Sequence, residues 1–204
     1  MNRRELLTTA AAAMVLPGSP LLAQDAVSAP EVIDYALGNP DAKVKIIEYA
    51  SLTCPHCAQF HRDVFKPLRA DYIETGKVHF TLREVYFDKF GLWGAMLARC
   101  AGEARYFGIT DILFETQAEW LGAGETGEVI GNLKRIGRTA GLEDAAIEAC
   151  FNDDAMAEAM VAAFQEKATA DAIEGTPTFI INGEKYSNMS YADLKAIIDP
   201  LLSE

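Results

Sequence analysis

The sequence predicts an α/β fold with an all-helical block inserted into it, and three observations carry that reading. Residues 44–85 read strand, helix, strand. Residues 178–202 read strand, tight turn, strand, helix. Between them, from about Gly91 to Ala170, apolar residues recur at helical spacing.

Taken in order, a short strand is expected near Val32 to Leu37, ahead of the turn cluster Gly38-Asn39-Pro40-Asp41. Val44 to Ala50 is a compact run of β-formers and reads as a buried strand. Ser51-Leu52-Thr53 then forms a loop, with Thr53 as capping residue. A helix begins at Cys54-Pro55, because proline fits a first helical turn. Its stripe is Phe60, Val64, Leu68 and Tyr72; Pro67 should kink it and Gly76 should stop it. Val78 to Val85 alternates apolar with polar residues, as a strand does. The helical block is broken at Gly122 to Gly127 and near Gly141. Its Met and Phe stripes, and Trp93 and Trp120, read as packing residues. Thr178 to Ile181 is a strand, Asn182-Gly183 a hairpin turn, and Lys185-Tyr186 opens the returning strand. A last helix runs from about Ser190 to Leu202.

With 204 residues, half of them hydrophobic, the chain can bury a full core. Its formal net charge of -12 argues against nucleic acid as a partner, since phosphate binding needs a basic surface. Residues 1–23 read as an export signal. Arg3 and Arg4 precede an alanine-rich apolar stretch, Leu6 to Leu16. Pro17, Gly18 and Pro20 break that stretch, and Leu21-Leu22-Ala23 offers a small residue for cleavage before Gln24. The stretch falls short of the roughly 18 residues of a spanning anchor. The Arg3-Arg4 pair resembles a twin-arginine signal, with a Sec signal as the alternative. Removal of Arg3, Arg4 and Glu5 would take the formal charge from -12 to -13. Export places the four cysteines (Cys54, Cys57, Cys100, Cys150) where disulfides persist, and an even count fits two pairs.

Cys54-Pro55-His56-Cys57 carries the chemistry. Two cysteines three apart at a helix start can close a small disulfide. The first sulfur then sits where free N–H groups and the positive end of the helix dipole favour a thiolate, the attacking species in exchange. No Lys or Arg lies in the motif, so the dipole and His56 must supply the stabilisation. A stabilised thiolate means a stabilised reduced form, and hence an oxidising pair. The rivals are a purely structural Cys54–Cys57 bond and half of a zinc site with His61 and His79 as possible further ligands, but a helical Cys54, Cys57 and His61 set is unusual. His61 and His79 otherwise read as surface or groove-lining residues. No metal and no organic cofactor is expected.

The segment Glu48-Tyr49-Ala50-Ser51-Leu52-Thr53-Cys54-Pro55-His56-Cys57 resembles the active-site segment of the DsbA-like thiol-disulfide oxidoreductases. These are bacterial periplasmic proteins whose thioredoxin fold is interrupted by a helical domain. Gly175-Thr176-Pro177-Thr178-Phe179 resembles the family's cis-proline loop. The resemblance implies a thioredoxin-like domain of residues 24–90 and 171–204, with 91–170 inserted. It implies that Cys54 is the nucleophile, with Pro55 and His56 as its motif neighbours, and that Cys57 is the buried resolving partner. Glu48 would move the proton of Cys57; the alternative is a strand-end carboxylate reaching water. Thr176 and Pro177, the latter cis, would bind an extended substrate segment by β-addition; the alternative for Pro177 is a trans proline that starts a strand. Cys100 and Cys150 would form a structural disulfide, worth about 4 kcal/mol in the chain-entropy model; the alternative is two inert buried thiols. Partners implied are reduced, folding proteins and a DsbB-type membrane reoxidant, for a monomeric, periplasmic enzyme. The best-known oxidants of the family have valine before the proline, where this chain has Thr176. The alternatives are therefore a disulfide isomerase or reductant, or a non-catalytic peptide-binding module.

Overall fold

The computed structural model describes residues 30–203. The export signal expected at 1–23 lies outside them. Among the described residues, five strands form one sheet in the order β1-β3-β2-β4-β5. They are β1 (Ala36–Gly38), β2 (Val44–Ala50), β3 (Val78–Glu84), β4 (Thr178–Ile181) and β5 (Glu184–Ser187). β2 and β3 are parallel and adjacent, and β4 runs antiparallel on the other side of β2.

Parallel neighbours need a crossover, and here it is the helix that starts just after the reactive loop. It comprises α1 (Pro55–Phe60), a π-helical stretch (His61–Phe65), α2 (Lys66–Leu68) and a second π-helical stretch (Arg69–Ile73). The irregularity expected from Pro67 thus appears as widened turns on both sides of it.

Six helices separate β3 from β4: α3 (Lys89–Cys100), α4 (Glu103–Glu115), α5 (Gln117–Leu121), α6 (Thr126–Thr139), α7 (Asp144–Phe151) and α8 (Asp154–Ala170). α9 (Tyr191–Ser203) closes the chain, with Leu194 and Ile198 buried. Trp120 is buried and donates from Nε1 to the Leu113 carbonyl at 2.8 Å. Asn182 and Gly183 both have positive φ, 48° and 93°, the twist that a two-residue hairpin requires. Among the described residues, no helix is long and apolar enough to cross a membrane.

Two expectations need correction. The first strand starts at Ala36, not near Val32. The segment before it is engaged elsewhere: Ile33 gives its carbonyl to Arg99, and Asp34 gives its carboxylate to Arg83 and Lys167. Gly38 ends the strand at φ 89°, where a Cβ would sit 2.2 Å from the Val78 carbonyl. The second correction concerns Thr53, which caps nothing. Its hydroxyl donates to Asp88 Oδ2 at 2.6 Å, and the N-cap of α1 is Cys54 itself.

A buried ion pair ties the helices to the sheet. Arg99 on α3 meets Glu84 on β3 through two bonds of 2.8 and 2.5 Å, and Tyr106 donates to Glu84 at 2.6 Å. Both partners are under a tenth exposed. Three side chains distant in sequence satisfy one another there, as buried charges must.

Candidate active site

Side chains on a strand alternate between its faces. On β2 that alternation sets Glu48 beside Val44, Ile46 and Ala50, and turns Tyr49 the other way. Tyr49 donates to Asp171 Oδ2 at 2.5 Å beyond α8. β2 then delivers the chain to the loop 51–54, and the crossover helix starts at once.

The start of α1 has no side-chain cap. Its first N–H groups are therefore unclaimed and point at the sulfur of Cys54. Cys54 and Cys57 are both thiols in this structure; Cys54 is partly exposed and Cys57 fully buried. The Cys57 thiol donates to the Cys54 sulfur and is the largest cause that lowers the Cys54 pKa, to about 5. The Thr176 hydroxyl and the backbone N–H groups of Cys57 and His56 lower it further. The expected contribution of His56 thus comes through its backbone, while its side chain stands exposed beside Pro55. Cys57 moves the opposite way. Burial pushes its thiol far above the ordinary range, and the Cys54 sulfur and the charge of Glu48 add to that. One sulfur is primed to attack and leave as an anion, while the other holds its proton.

Facing the pair is the loop before β4. The Thr176–Pro177 peptide bond is cis. The Cys54 thiol lies 3.5 Å from the Thr176 carbonyl. The Thr176 hydroxyl, buried and without a partner while both sulfurs are thiols, acts as a donor that lowers either pKa on ionisation. A groove of about 440 Å³ opens beside this loop, lined among others by Glu174, Thr176, Pro177, Lys185 and Tyr186.

Glu48 is fully buried, so the alternative of a strand-end carboxylate reaching water is overturned. His61 corrects the reading more sharply. It is 3 % exposed, neither surface nor groove-lining, and its Nε2 lies 3.0 Å from Glu48 Oε2. Its ring stacks on Phe114 at 3.9 Å and packs against Phe65. The π-helical stretch and α4 close over it, and no local sequence signal announced that. Gln117 was also missed. From α5 its Nε2 donates to the Leu52 and Cys54 carbonyls. A polar residue in a helical block carries no mark of the loop it will reach.

Cys100 and Cys150 are joined by a disulfide between α3 and α7, with Cα atoms 6.0 Å apart. It is remote from the thiol pair in sequence and belongs to the helices. Among the described residues, no group of three or more His, Cys, Asp or Glu is placed to hold a metal.

Comparison with known proteins agrees with this geometry. The family model described as thioredoxin matches residues 31–200. A putative protein-disulfide oxidoreductase of Rickettsia bellii is 34% identical over 172 residues, covering 84% of this chain and 65% of the relative. The chain thus spans a little under two thirds of the length of that relative. The crystal structure of Wolbachia pipientis alpha-DsbA1 superposes with a TM-score of 0.79 at 30% identity, covering 85% of this chain and 93% of that one. Oxidised BdbD of Bacillus subtilis shares the fold, with a TM-score of 0.73 at 22% identity over 84% of this chain and 94% of that one.

Proposed function

We propose, for a chain that belongs to the thioredoxin family and within it to the DsbA-like group, that it is an exported enzyme that introduces disulfides into substrate proteins. The observation that carries this is the asymmetry of the pair: Cys54 lowered to about 5 and Cys57 raised by burial. A reduced form that holds a thiolate at neutral pH is stabilised, so the disulfide form gives up its bond readily.

In this reading a substrate thiolate attacks the Cys54 sulfur of the Cys54–Cys57 disulfide. A bond forms between the substrate sulfur and Cys54, and Cys57 leaves with the electron pair and takes a proton. A second substrate thiolate then attacks the substrate sulfur. The substrate departs with a disulfide, and Cys54 leaves as the thiolate that its surroundings favour. Glu48, buried and close enough to act on Cys57 by charge, supplies and recovers the proton. Thr176 and Pro177 hold an extended substrate segment along the groove. Residues 91–170 act as an inserted unit stapled by Cys100–Cys150. The dithiol enzyme is reoxidised by a DsbB-type membrane partner, and the protein works as a periplasmic monomer.

The test is the redox equilibrium of the pair against glutathione. A potential near -120 mV, as for strong disulfide donors, is the expected result. A potential near -270 mV, typical of thioredoxin reductants, would overturn the direction and leave a reductant or isomerase. The Thr176 hydroxyl beside both sulfurs is the observation that favours that second reading.

A further inference from the structure

The Glu48–His61 pair is buried on all sides, and each partner leaves one polar atom unmatched: Glu48 Oε1 and His61 Nδ1. Buried polar atoms without partners are rare and costly. A carboxyl alone in an apolar site turns neutral, because burial penalises the charged form. Neutral, it could no longer take a proton from a neighbouring thiol.

His61 stands four residues after Cys57, one turn on, so both present to the same side of the crossover helix. That side faces Glu48 on β2. Phe60, Phe65 and Phe114 wall the imidazole. The charges that bear on it are few. Glu48 meets it from β2. Asp111 lies across on α4, and its carboxyl is occupied by Arg69 at 3.0 Å. Glu115, one turn on, is paired with Lys66. Asp63, two residues on in the same helical stretch, is exposed.

We propose that His61 is a positioning residue for the redox step: its Nε2–H holds the Glu48 carboxylate ionised and aimed, so that Glu48 can take the proton of Cys57. The inference rests on the oxidoreductase reading above. The step concerned is closure of the enzyme's own disulfide. Cys54 is then joined to a partner sulfur; Cys57 gives its proton to Glu48, attacks Cys54 and expels the partner as a thiolate. One sulfur–sulfur bond forms and one breaks, Cys57 is oxidised and the partner sulfur reduced, and the proton ends on Glu48. The unmatched Oε1 is the free acceptor position for that proton.

The experiment uses the full chain, reduced and then mixed with oxidised glutathione. The rate at which Cys57 resolves the mixed disulfide is followed from pH 5 to 9 by quenching and thiol labelling. In His61→Phe, which keeps the aromatic packing, the step is expected to slow about tenfold at pH 7 and its profile to move up by about one pH unit. His61→Gln, with a neutral donor of similar reach, is expected to recover much of that shift. A Phe variant whose profile superimposes on the native one would overturn the proposal, and so would a Gln variant indistinguishable from Phe. If His61→Phe does not fold, the infrared difference between native protein and Glu48→Gln decides. An ionised carboxyl at pH 7 supports the proposal and a protonated one overturns it. Failure of the oxidoreductase reading would look different, because native protein would then form no mixed disulfide through Cys54.

Discussion

Gln117 Nε2 donates to the main-chain carbonyl of Cys54 at 3.0 Å, and a second bond of 2.8 Å reaches Leu52. One amide from α5 thus fixes the loop that carries the partly exposed Cys54 sulfur. Gln117→Leu would leave the Leu52 carbonyl without its donor, at a cost of about 1–3 kcal/mol, while the Cys54 carbonyl keeps the Ala58 N–H. Denaturant unfolding of the reduced protein should register that loss, and Cys54 should alkylate with a broadened pH dependence as the loop loosens.

The cysteines have separable roles. Cys57→Ala, mixed with a substrate that already carries a disulfide, should accumulate a mixed disulfide between Cys54 and substrate, visible by mass spectrometry, because Cys57 is no longer there to attack Cys54 and expel the substrate thiol. Cys54→Ala should form no mixed disulfide and lose turnover entirely. A Cys54→Ala protein that kept full turnover would point to the non-catalytic peptide-binding module instead.

The thiolate of Cys54 makes stability depend on both pH and redox state. Its pKa falls from an ordinary 9.0 to about 5 on folding. The reduced protein therefore gains stability that is complete above pH 9 and is lost as pH falls through 5. The oxidised protein has no such group. The reduced-minus-oxidised difference in Tm should widen steadily as pH rises from 5 to 9. A difference that is flat with pH would contradict the placement of the thiolate. Alkylation of Cys54 should have its midpoint near pH 5.

Glu48→Gln removes the carboxylate proposed as proton acceptor for Cys57 and keeps the shape. Resolution of the mixed disulfide should slow on the order of 100-fold at neutral pH, with the Cys54 alkylation midpoint little changed. The measurement is single-turnover reoxidation of the reduced protein.

The Arg99–Glu84 pair predicts a stability effect with no direct catalytic part. Arg99→Ala would leave Glu84 buried and uncompensated, at a cost of about 3–5 kcal/mol. Thermal unfolding measures it, and the Cys54 alkylation midpoint should stay in place.

Several features were legible along the chain because they are local. Alternation in Val78–Glu84, the positive-φ pair Asn182-Gly183 and the proline of the first turn at Pro55 each declare themselves within a few residues. The same holds for the Cys54-Pro55-His56-Cys57 spacing, since two sulfurs three residues apart at a helix start need no distant partner to meet. Local preferences alone were enough for the order of strands and helices, the crossover after residues 51–54, and the spacing of the Cys54–Cys57 pair. Tertiary structure alone decided what surrounds that pair. It set Glu48 against His61, brought Gln117 beneath the loop, and joined Arg99 to Glu84. The physical reason is one of range. A residue's backbone preference acts over a turn or a strand, but the burial and charge that tune a thiol come from whatever the fold packs against it.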